Sequence, residues 1–196
     1  MVNNSGALCP SSSNGKEVLF VGRLARRKGV DDLLESFRMI ERSLPAASLV
    51  IVGDGPERGK LEVRARELGL QTVEFRGALF GDALQREYSQ CSVCVLPSKK
   101  VPEDPATEGL GLTLIEASMH AKPLIGTNHG GIPEIIREGC NGLLVPEGSP
   151  RKLADAIFRI LSDEKMASAM GRKAFEIANS NFGWKAATER LLESYS

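Results

Sequence analysis

Short stretches without a polar residue alternate with amphipathic stretches along the chain, and this alternation limits the choice of fold more than any other feature. The sequences VLFV, LVIV and VCVL occupy residues 18–21, 49–52 and 93–96. Strands that are apolar throughout are typical of a parallel sheet that helices cover on both faces. The intervening stretches have helical periodicity, as in residues 30–42. The sequence therefore predicts an α/β fold with a doubly wound, Rossmann-like parallel sheet.

The same patterns predict the order of the elements and a single domain over residues 17–196. Strands are predicted at residues 17–22, 48–52, 73–75, 93–96, 123–127 and 143–145. Helices are predicted at residues 30–42, 58–68, 83–89, 112–120, 133–137, 151–161, 165–178 and 184–194. Residues 1–16 are rich in Ser, Asn, Gly and Pro, which predicts a flexible tail or the stub of a linker.

The balance of charge and the hydropathy exclude several classes of partner. Lys and Arg together number 25, as do Asp and Glu, so the formal net charge is zero. A neutral chain has no general electrostatic attraction for nucleic acid or anionic lipid, and any anion site must be local. The sequence has no apolar run long enough to span a bilayer and no apolar core of a signal peptide near its N-terminus. We therefore expect no nucleic-acid partner, no membrane segment and a cytoplasmic location.

Cys91 and Cys94 form a C-x-x-C pair, which is the strongest indication of redox or zinc chemistry among the four cysteines. Residues 92–96 are β-like, however, whereas a redox C-x-x-C normally lies at the start of a helix. No second Cys or His pair lies at the spacing of a zinc site. The pattern therefore favours ordinary buried thiols and does not support a redox centre.

The loops after the strands are where a doubly wound sheet binds its ligands, at the point where the strand order reverses. The loop after the first strand, GRLARRKG at residues 22–29, is strongly basic. Gly22 permits a sharp turn of the backbone, and Arg23 and Lys28 can converge on a diphosphate. The helix predicted after Gly29 would add a favourable dipole. The alternative is a solvated basic loop, and this motif alone does not decide between the two.

Two glutamates frame the loop and helix that follow the fourth predicted strand, in the sequence EGLGLTLIE at residues 108–116. Gly109 and Gly111 let a ligand approach the backbone closely, and the first amides of a helix have no partner within it. This arrangement predicts a phosphate site at the start of the helix. The carboxylates of Glu108 and Glu116 can accept hydrogen bonds from sugar hydroxyl groups. The alternative places both glutamates on a solvated helix face.

Five motifs follow one another in an order and spacing that identify a family. They are GRL with KG within residues 22–29, VIVGDGP at 50–56, FRG at 75–77, EGLGLTLIE at 108–116 and GGIPE at 130–134. With these motifs the chain resembles the C-terminal half of a retaining GT-B glycosyltransferase of family 4, from residue 17 to the C-terminus. The resemblance implies a single Rossmann-like domain that binds a nucleotide sugar.

The resemblance also implies roles for four charged residues of the motifs. Arg23 and Lys28 would bind the diphosphate and stabilise the nucleoside diphosphate as it leaves. Glu108 would contact the donor sugar, and Glu116 would hold the ribose hydroxyl groups. We therefore expect Arg23, Lys28 and Glu108 to take part in catalysis.

Further contacts implied by the resemblance come from glycines, backbone amides and one more arginine. Gly22 would line the diphosphate site, and Arg76 and Gly77, after the third strand, would border the base. The residues expected to support phosphate and sugar are Gly109, Leu110, Gly111, Leu112 and Thr113.

The reaction implied by the resemblance is glycosyl transfer with retention of anomeric configuration, from a UDP- or GDP-linked sugar. It needs no cofactor and no obligatory metal, and the sequence has no Asp-x-Asp motif to hold a divalent ion on a diphosphate. A GT-B enzyme recognises its acceptor mostly on its N-terminal domain. We therefore expect this chain to be a partial enzyme that lacks the acceptor domain and does not transfer sugar efficiently alone.

Other interpretations of the sequence remain to be tested. A dinucleotide-dependent oxidoreductase would have G-x-G-x-x-G after the first strand, where this chain has GRLARRKG. A non-catalytic binding module of the same fold is disfavoured, because the two principal basic and two acidic residues are present.

His120 lies at the end of a predicted helix, and this position favours a surface or capping role over catalysis. His129 fits either the cleft wall or a polar loop contact, and residues 99–107 fit either a mobile rim of the site or a solvated loop.

Overall fold

Parallel strands form one six-stranded sheet in the order β3-β2-β1-β4-β5-β6. The computed structural model describes residues 16–104, 109 and 111–182. The strands are β1 Lys16–Val21, β2 Ala47–Val52, β3 Val73–Gly77, β4 Val93–Leu96, β5 Leu124–Thr127 and β6 Gly142–Val145. The order reverses between β1 and β4, as in a doubly wound Rossmann-like sheet. The predicted fold class is therefore confirmed.

Among the described residues, seven α-helices surround the sheet, and a 3₁₀ turn at Arg26–Lys28 precedes the first of them. The helices are α1 Val30–Ser43, α2 Arg58–Glu67, α3 Gly81–Gln90, α4 Leu112–Met119, α5 Ile132–Ile135, α6 Pro150–Ser162 and α7 Glu164–Phe182. Helix α1 packs against α2 and α6, whereas α4 packs against α7. All four residues of β4 are buried, because helices cover both faces of the sheet.

The predicted elements agree with the observed ones to within a few residues at most of their ends. The largest difference is at α7, which was predicted to end at residue 178 and extends to Phe182. Helix α5 ends two residues before its predicted end, since Ile136 is already extended. The buried Asn141 side chain donates a hydrogen bond to the Ile135 carbonyl and accepts one from the Arg137 amide. These bonds end the helix early. Lys16 was assigned to the tail but begins β1, and the helix predicted at residues 184–194 lies outside the described residues.

The C-x-x-C cysteines are buried free thiols, as predicted. Cys91 follows α3 and Cys94 lies within β4. Burial raises the pKa of the Cys91 thiol to about 12, and it raises the pKa of Cys94 well above its usual value. Neither thiol forms the reactive thiolate at neutral pH.

Among the described residues, no helix combines the length and the apolar sequence that a membrane crossing requires.

One buried carboxylate leads to a stability prediction. Burial raises the pKa of Glu17 in β1, and the Glu87 carboxylate adds to this effect. The Oε1 atom of Glu17 is buried and has no hydrogen-bond partner among the described residues. The folded state binds the proton of the Glu17 carboxyl more tightly than the unfolded chain does. The free energy of unfolding therefore declines as the pH rises from 4.5 through the folded-state pKa of Glu17.

We expect Glu17→Gln to stabilise the chain at neutral pH by about 1 kcal/mol, because an amide stays uncharged where the carboxylate is desolvated. Urea unfolding of the variant and the wild type should differ at about pH 7.5 and agree at about pH 4. Glu74→Gln is the control, since the Glu74 side chain is 62% exposed. A less stable Glu17→Gln at pH 7.5 would mean that the Glu17 carboxylate makes a net favourable ion pair.

Candidate functional site

The carboxyl ends of β1 and β4, which are neighbours in the sheet, are where the chain enters the loops of the two principal sequence motifs. From these neighbouring strands the chain continues to opposite sides of the sheet, to β2 and to β5. The loops after β1 and β4 therefore border the position at which a doubly wound sheet binds its ligands. The basic turn, residues 22–29, follows β1, and the β4 loop, residues 97–111, leads to α4.

Backbone contacts hold the basic turn in place. The Gly22 amide donates to the Val52 carbonyl and the Leu24 amide to the Asp54 carbonyl, each at 2.9 Å. The Leu24 side chain is fully buried in the core. Gly29 ends the 3₁₀ turn with a φ of 65°, which returns the chain into α1. The backbone contacts of Gly22 and Leu24, the buried Leu24 side chain and the conformation of Gly29 thus fix the course of the basic turn at the carboxyl end of β1.

The arginines of this turn have different surroundings. Arg26 pairs with Glu103 at 3.4 Å, and Arg27 pairs with Asp104 at 3.1 Å. Arg23 is exposed, and in the part of the chain that the structure describes its guanidinium has no carboxylate partner. Arg23 is therefore the arginine of the turn that is available to an anionic ligand. Lys28, the second predicted cation, is partly buried at the end of the 3₁₀ turn.

The start of α4 presents backbone amides toward the same edge of the sheet. Gly111 precedes the helix with a φ of 62° and no side chain caps it. The amides of Leu112 and Thr113 are in the first turn, where a helix provides no acceptor, and the Leu112 side chain is 66% exposed. The Gly109 carbonyl accepts a hydrogen bond from the Gly131 amide at 3.2 Å, which joins this loop to the one after β5.

Two predicted site residues, Glu108 and Leu110, lie outside the described residues, so their roles stay predictions. The other glutamate of the motif, Glu116, has a partner that the sequence did not indicate. Its Oε2 accepts a hydrogen bond from the Tyr88 hydroxyl at 2.6 Å. Tyr88 is fully buried in α3, and burial raises its pKa above the usual value, so it stays a donor. Tyr88 thereby orients Glu116, whose contact with a ribose stays a prediction.

Arg76 is engaged elsewhere in this structure. Its guanidinium binds the carboxylate of Glu87 on α3 and that of Glu74 on β3. The pair with Glu87 joins β3 to α3, and neither pair supports the predicted contact with a base, which stays a prediction. Gly77, with a φ of 70°, accepts a hydrogen bond from the Gly53 amide at 2.7 Å and so joins the ends of β3 and β2.

Both histidines make local contacts. His120 lies 2.7 Å from the Gln85 amide oxygen and stacks on Tyr88, with ring centroids 5.8 Å apart. The surface or capping role expected for His120 agrees with these contacts. His129 is buried, and its Nδ1 lies 2.9 Å from a carboxylate oxygen of Glu147. This pair favours the polar loop contact over a role in the cleft wall, and it joins the loops after β5 and β6.

Within the described ranges, no group of three His, Cys, Asp or Glu side chains is arranged to hold a metal ion.

The family of the chain follows from a comparison with known sequences. Residues 10–177 match the family model described as "Glycosyl transferases group 1". This match includes the basic turn, the β4 loop and α4. The chain belongs to the group 1 glycosyltransferases. The oxidoreductase alternative therefore has no support from the family match.

Relatives and solved structures agree with membership in the group 1 glycosyltransferases. A GDP-mannose-dependent phosphatidylinositol monomannoside mannosyltransferase of Mycobacterium tuberculosis is 33% identical over 90% of this chain and 46% of the relative. The C-terminal domain of a group 1 glycosyltransferase from Francisella tularensis is 25% identical, with a TM-score of 0.76 over 87% of this chain and 88% of that one. Sucrose-phosphate synthase from Thermosynechococcus elongatus is 32% identical, with a TM-score of 0.80 over 93% and 45%.

This group 1 domain spans about half the length of the curated relatives it matches.

Proposed function

We propose that this domain binds the nucleoside-diphosphate-sugar donor of a retaining, family 4 glycosyltransferase of the GT-B type. The observation that carries the proposal is the direct contact between the basic turn and the β4 loop. The Lys99 amide donates to the Arg27 carbonyl at 2.8 Å. A Cβ atom on Gly29 would lie only 2.0 Å from the Pro97 carbonyl oxygen. The two loops whose motifs suggest diphosphate and sugar binding are therefore neighbours.

The proposed chemistry is stabilisation of the charge that develops on the leaving nucleoside diphosphate. Arg23 and Lys28 hold the diphosphate, and the amides of residues 110–113 support the phosphate and the sugar. Glu108 accepts hydrogen bonds from the donor sugar, and Glu116, oriented by Tyr88, accepts them from the ribose. Loss of one such cation costs on the order of 3 kcal/mol of transition-state stabilisation. In this proposal the positive charges of Arg23 and Lys28 stabilise the diphosphate in place of a divalent ion, and no metal is required.

The proposed donor is a UDP- or GDP-linked sugar. The Mycobacterium relative is GDP-mannose-dependent by name, which supports a guanine nucleotide among the candidates. Because the relatives are about twice as long as this chain, we place acceptor recognition on a further, N-terminal domain. The domain described here then binds the donor in the cytoplasm and transfers sugar efficiently only together with that domain.

A nucleotide screen by thermal unfolding tests this function. We expect UDP or GDP to raise the melting temperature, with a stabilisation of about 2.7 kcal/mol at a concentration a hundred times the Kd. Addition of EDTA should leave the effect unchanged, since the proposed site uses no metal. ADP and NAD serve as comparison ligands.

Each outcome of the screen has a distinct meaning. Stabilisation by NAD alone would favour the oxidoreductase alternative. Absence of stabilisation by every nucleotide would favour a non-catalytic module and overturn the proposed function.

A further inference from the structure

An ion-paired lysine joins the β4 loop to the first turn of α1. Lys99 Nζ lies 2.7 Å from Asp31 Oδ2 and 2.9 Å from Asp32 Oδ2. The Lys99 and Asp32 side chains are only 19% and 16% exposed, so solvent screens their interaction less than that of a surface pair. The Lys99 amide is also bonded to the Arg27 carbonyl. Lys99 thus contacts both the basic turn and the helix that follows it.

A second ion pair acts beside the first one. Arg27 Nη1 lies 3.1 Å from Asp104 Oδ2, and both side chains are partly buried. An antiparallel bridge between Val101 and Asp104 bends the loop back on itself, which brings Asp104 to the basic turn. Both ends of the segment 99–104 therefore contact the basic turn, Lys99 through its amide and Asp104 through its carboxylate.

The other side of the β4 loop is fastened to the loops after β5 and β6. The Lys100 amide donates to Glu147 Oε2 at 2.7 Å, while the other oxygen of Glu147 contacts His129. The Thr127 hydroxyl donates to the Ser98 carbonyl. Residues 98–104 of the β4 loop thus contact both the basic turn and the carboxyl ends of β5 and β6, and Lys99 is their attachment on the side of the diphosphate motif.

We propose that Lys99 is a positioning residue for the diphosphate site, because its pairs with Asp31 and Asp32 hold the β4 loop against the basic turn. This inference rests on the proposed function. Lys99 acts in two ways. It keeps residues 97–104 at the basic turn, and its single positive charge offsets part of the negative charge of two carboxylates that lie just beyond Gly29. Without it, these carboxylates would repel a diphosphate bound at the turn.

The test compares Lys99→Met with Lys99→Arg and with the matched control Lys100→Met. Lys100 is the exposed neighbour, and its backbone amide, which contacts Glu147, is unaffected by the change of side chain. Titration calorimetry with UDP and GDP should show binding about five- to tenfold weaker for Lys99→Met. Binding should be close to wild type for Lys99→Arg and Lys100→Met. Binding of uridine and guanosine, followed by NMR, should be the same in all the variants, because these nucleosides lack the diphosphate.

Hydrogen exchange of the free protein separates positioning from direct contact. In Lys99→Met we expect faster exchange of the residue 99 amide, which is bonded to Arg27, and no such change in Lys100→Met. Weaker diphosphate binding with unchanged exchange would mean that Lys99 touches the ligand itself, and it would overturn the positioning role. Equal loss of nucleoside and diphosphate binding would also overturn it, because that result indicates general damage to the fold.

The failure of this inference is distinguishable from failure of the proposed function. Wild-type protein that binds neither UDP nor GDP would contradict the function and, with it, the role of Lys99. Wild-type binding that Lys99→Met leaves unchanged would contradict the role of Lys99 alone.

Discussion

Gly29→Ala is expected to destabilise the chain by about 3 kcal/mol, as the sum of backbone strain and a clash with main-chain atoms. Gly29 has a φ of 65°, a conformation that disfavours any residue with a Cβ atom. The added Cβ would lie 2.0 Å from the Pro97 carbonyl oxygen and 3.0 Å from its carbon. Because both atoms belong to the backbone of the β4 loop, the clash is relieved only when the two loops separate.

Gly69→Ala is the matched control for this prediction. Gly69 has a similar φ of 72°, but nothing lies within 4 Å of the position its Cβ would take. Alanine at position 69 therefore has the backbone strain without the clash, and we expect the free energy of unfolding to fall by about 1 kcal/mol. Urea unfolding of the two variants measures the difference. Equal losses would show that the close approach of the basic turn to the β4 loop does not contribute to stability.

Arg23→Ala is expected to weaken UDP or GDP binding by about 2 kcal/mol, or roughly thirtyfold. Arg23 is exposed at the carboxyl end of β1 and has no carboxylate partner among the described residues. A charge-assisted contact to phosphate would therefore be lost without the release of a competing ion pair. Titration calorimetry gives the affinity, and thermal unfolding confirms that the variant is folded.

Arg26→Ala is the control for charge. It removes a cation from the same turn, but the Arg26 side chain is 63% exposed and pairs with Glu103. We expect it to change the affinity less than about threefold, because the Glu103 carboxylate already offsets its charge and the remaining field is screened by solvent. Equal effects of the two substitutions would indicate general attraction by a basic loop, which is the alternative that the sequence left open.

The fold was predictable because its determinants are local. The continuously apolar strands and the intervening helices each have a pattern that a short window of sequence contains. The early end of α5 was not predictable in this way, since it depends on the buried Asn141 side chain and its bonds to Ile135 and Arg137. The location of the motifs at the strand ends followed from the fold class alone.

The partners of the site residues were not predictable, because they come from distant parts of the chain. Lys99 and Asp31 are 68 positions apart, and Tyr88 and Glu116 are 28 apart, on different helices. The ion pair of Arg76 with Glu87 likewise depends on where α3 lies relative to β3. A pattern of charges in a sequence indicates which residues can bind an anion, but tertiary contacts decide which of them are already neutralised.

The most direct test of the central claim is to locate the bound nucleotide by NMR. Amide signals of the ¹⁵N-labelled chain are followed during titration with UDP and with GDP. We predict that the shifts concentrate in residues 22–29 and at Gly109, Gly111, Leu112 and Thr113, which follow β1 and β4 at the same edge of the sheet. Shifts confined to Lys60, Val63 and Glu67 of α2, which line a groove of about 510 Å³ together with Ala25, Arg26 and Asp31, would contradict this site.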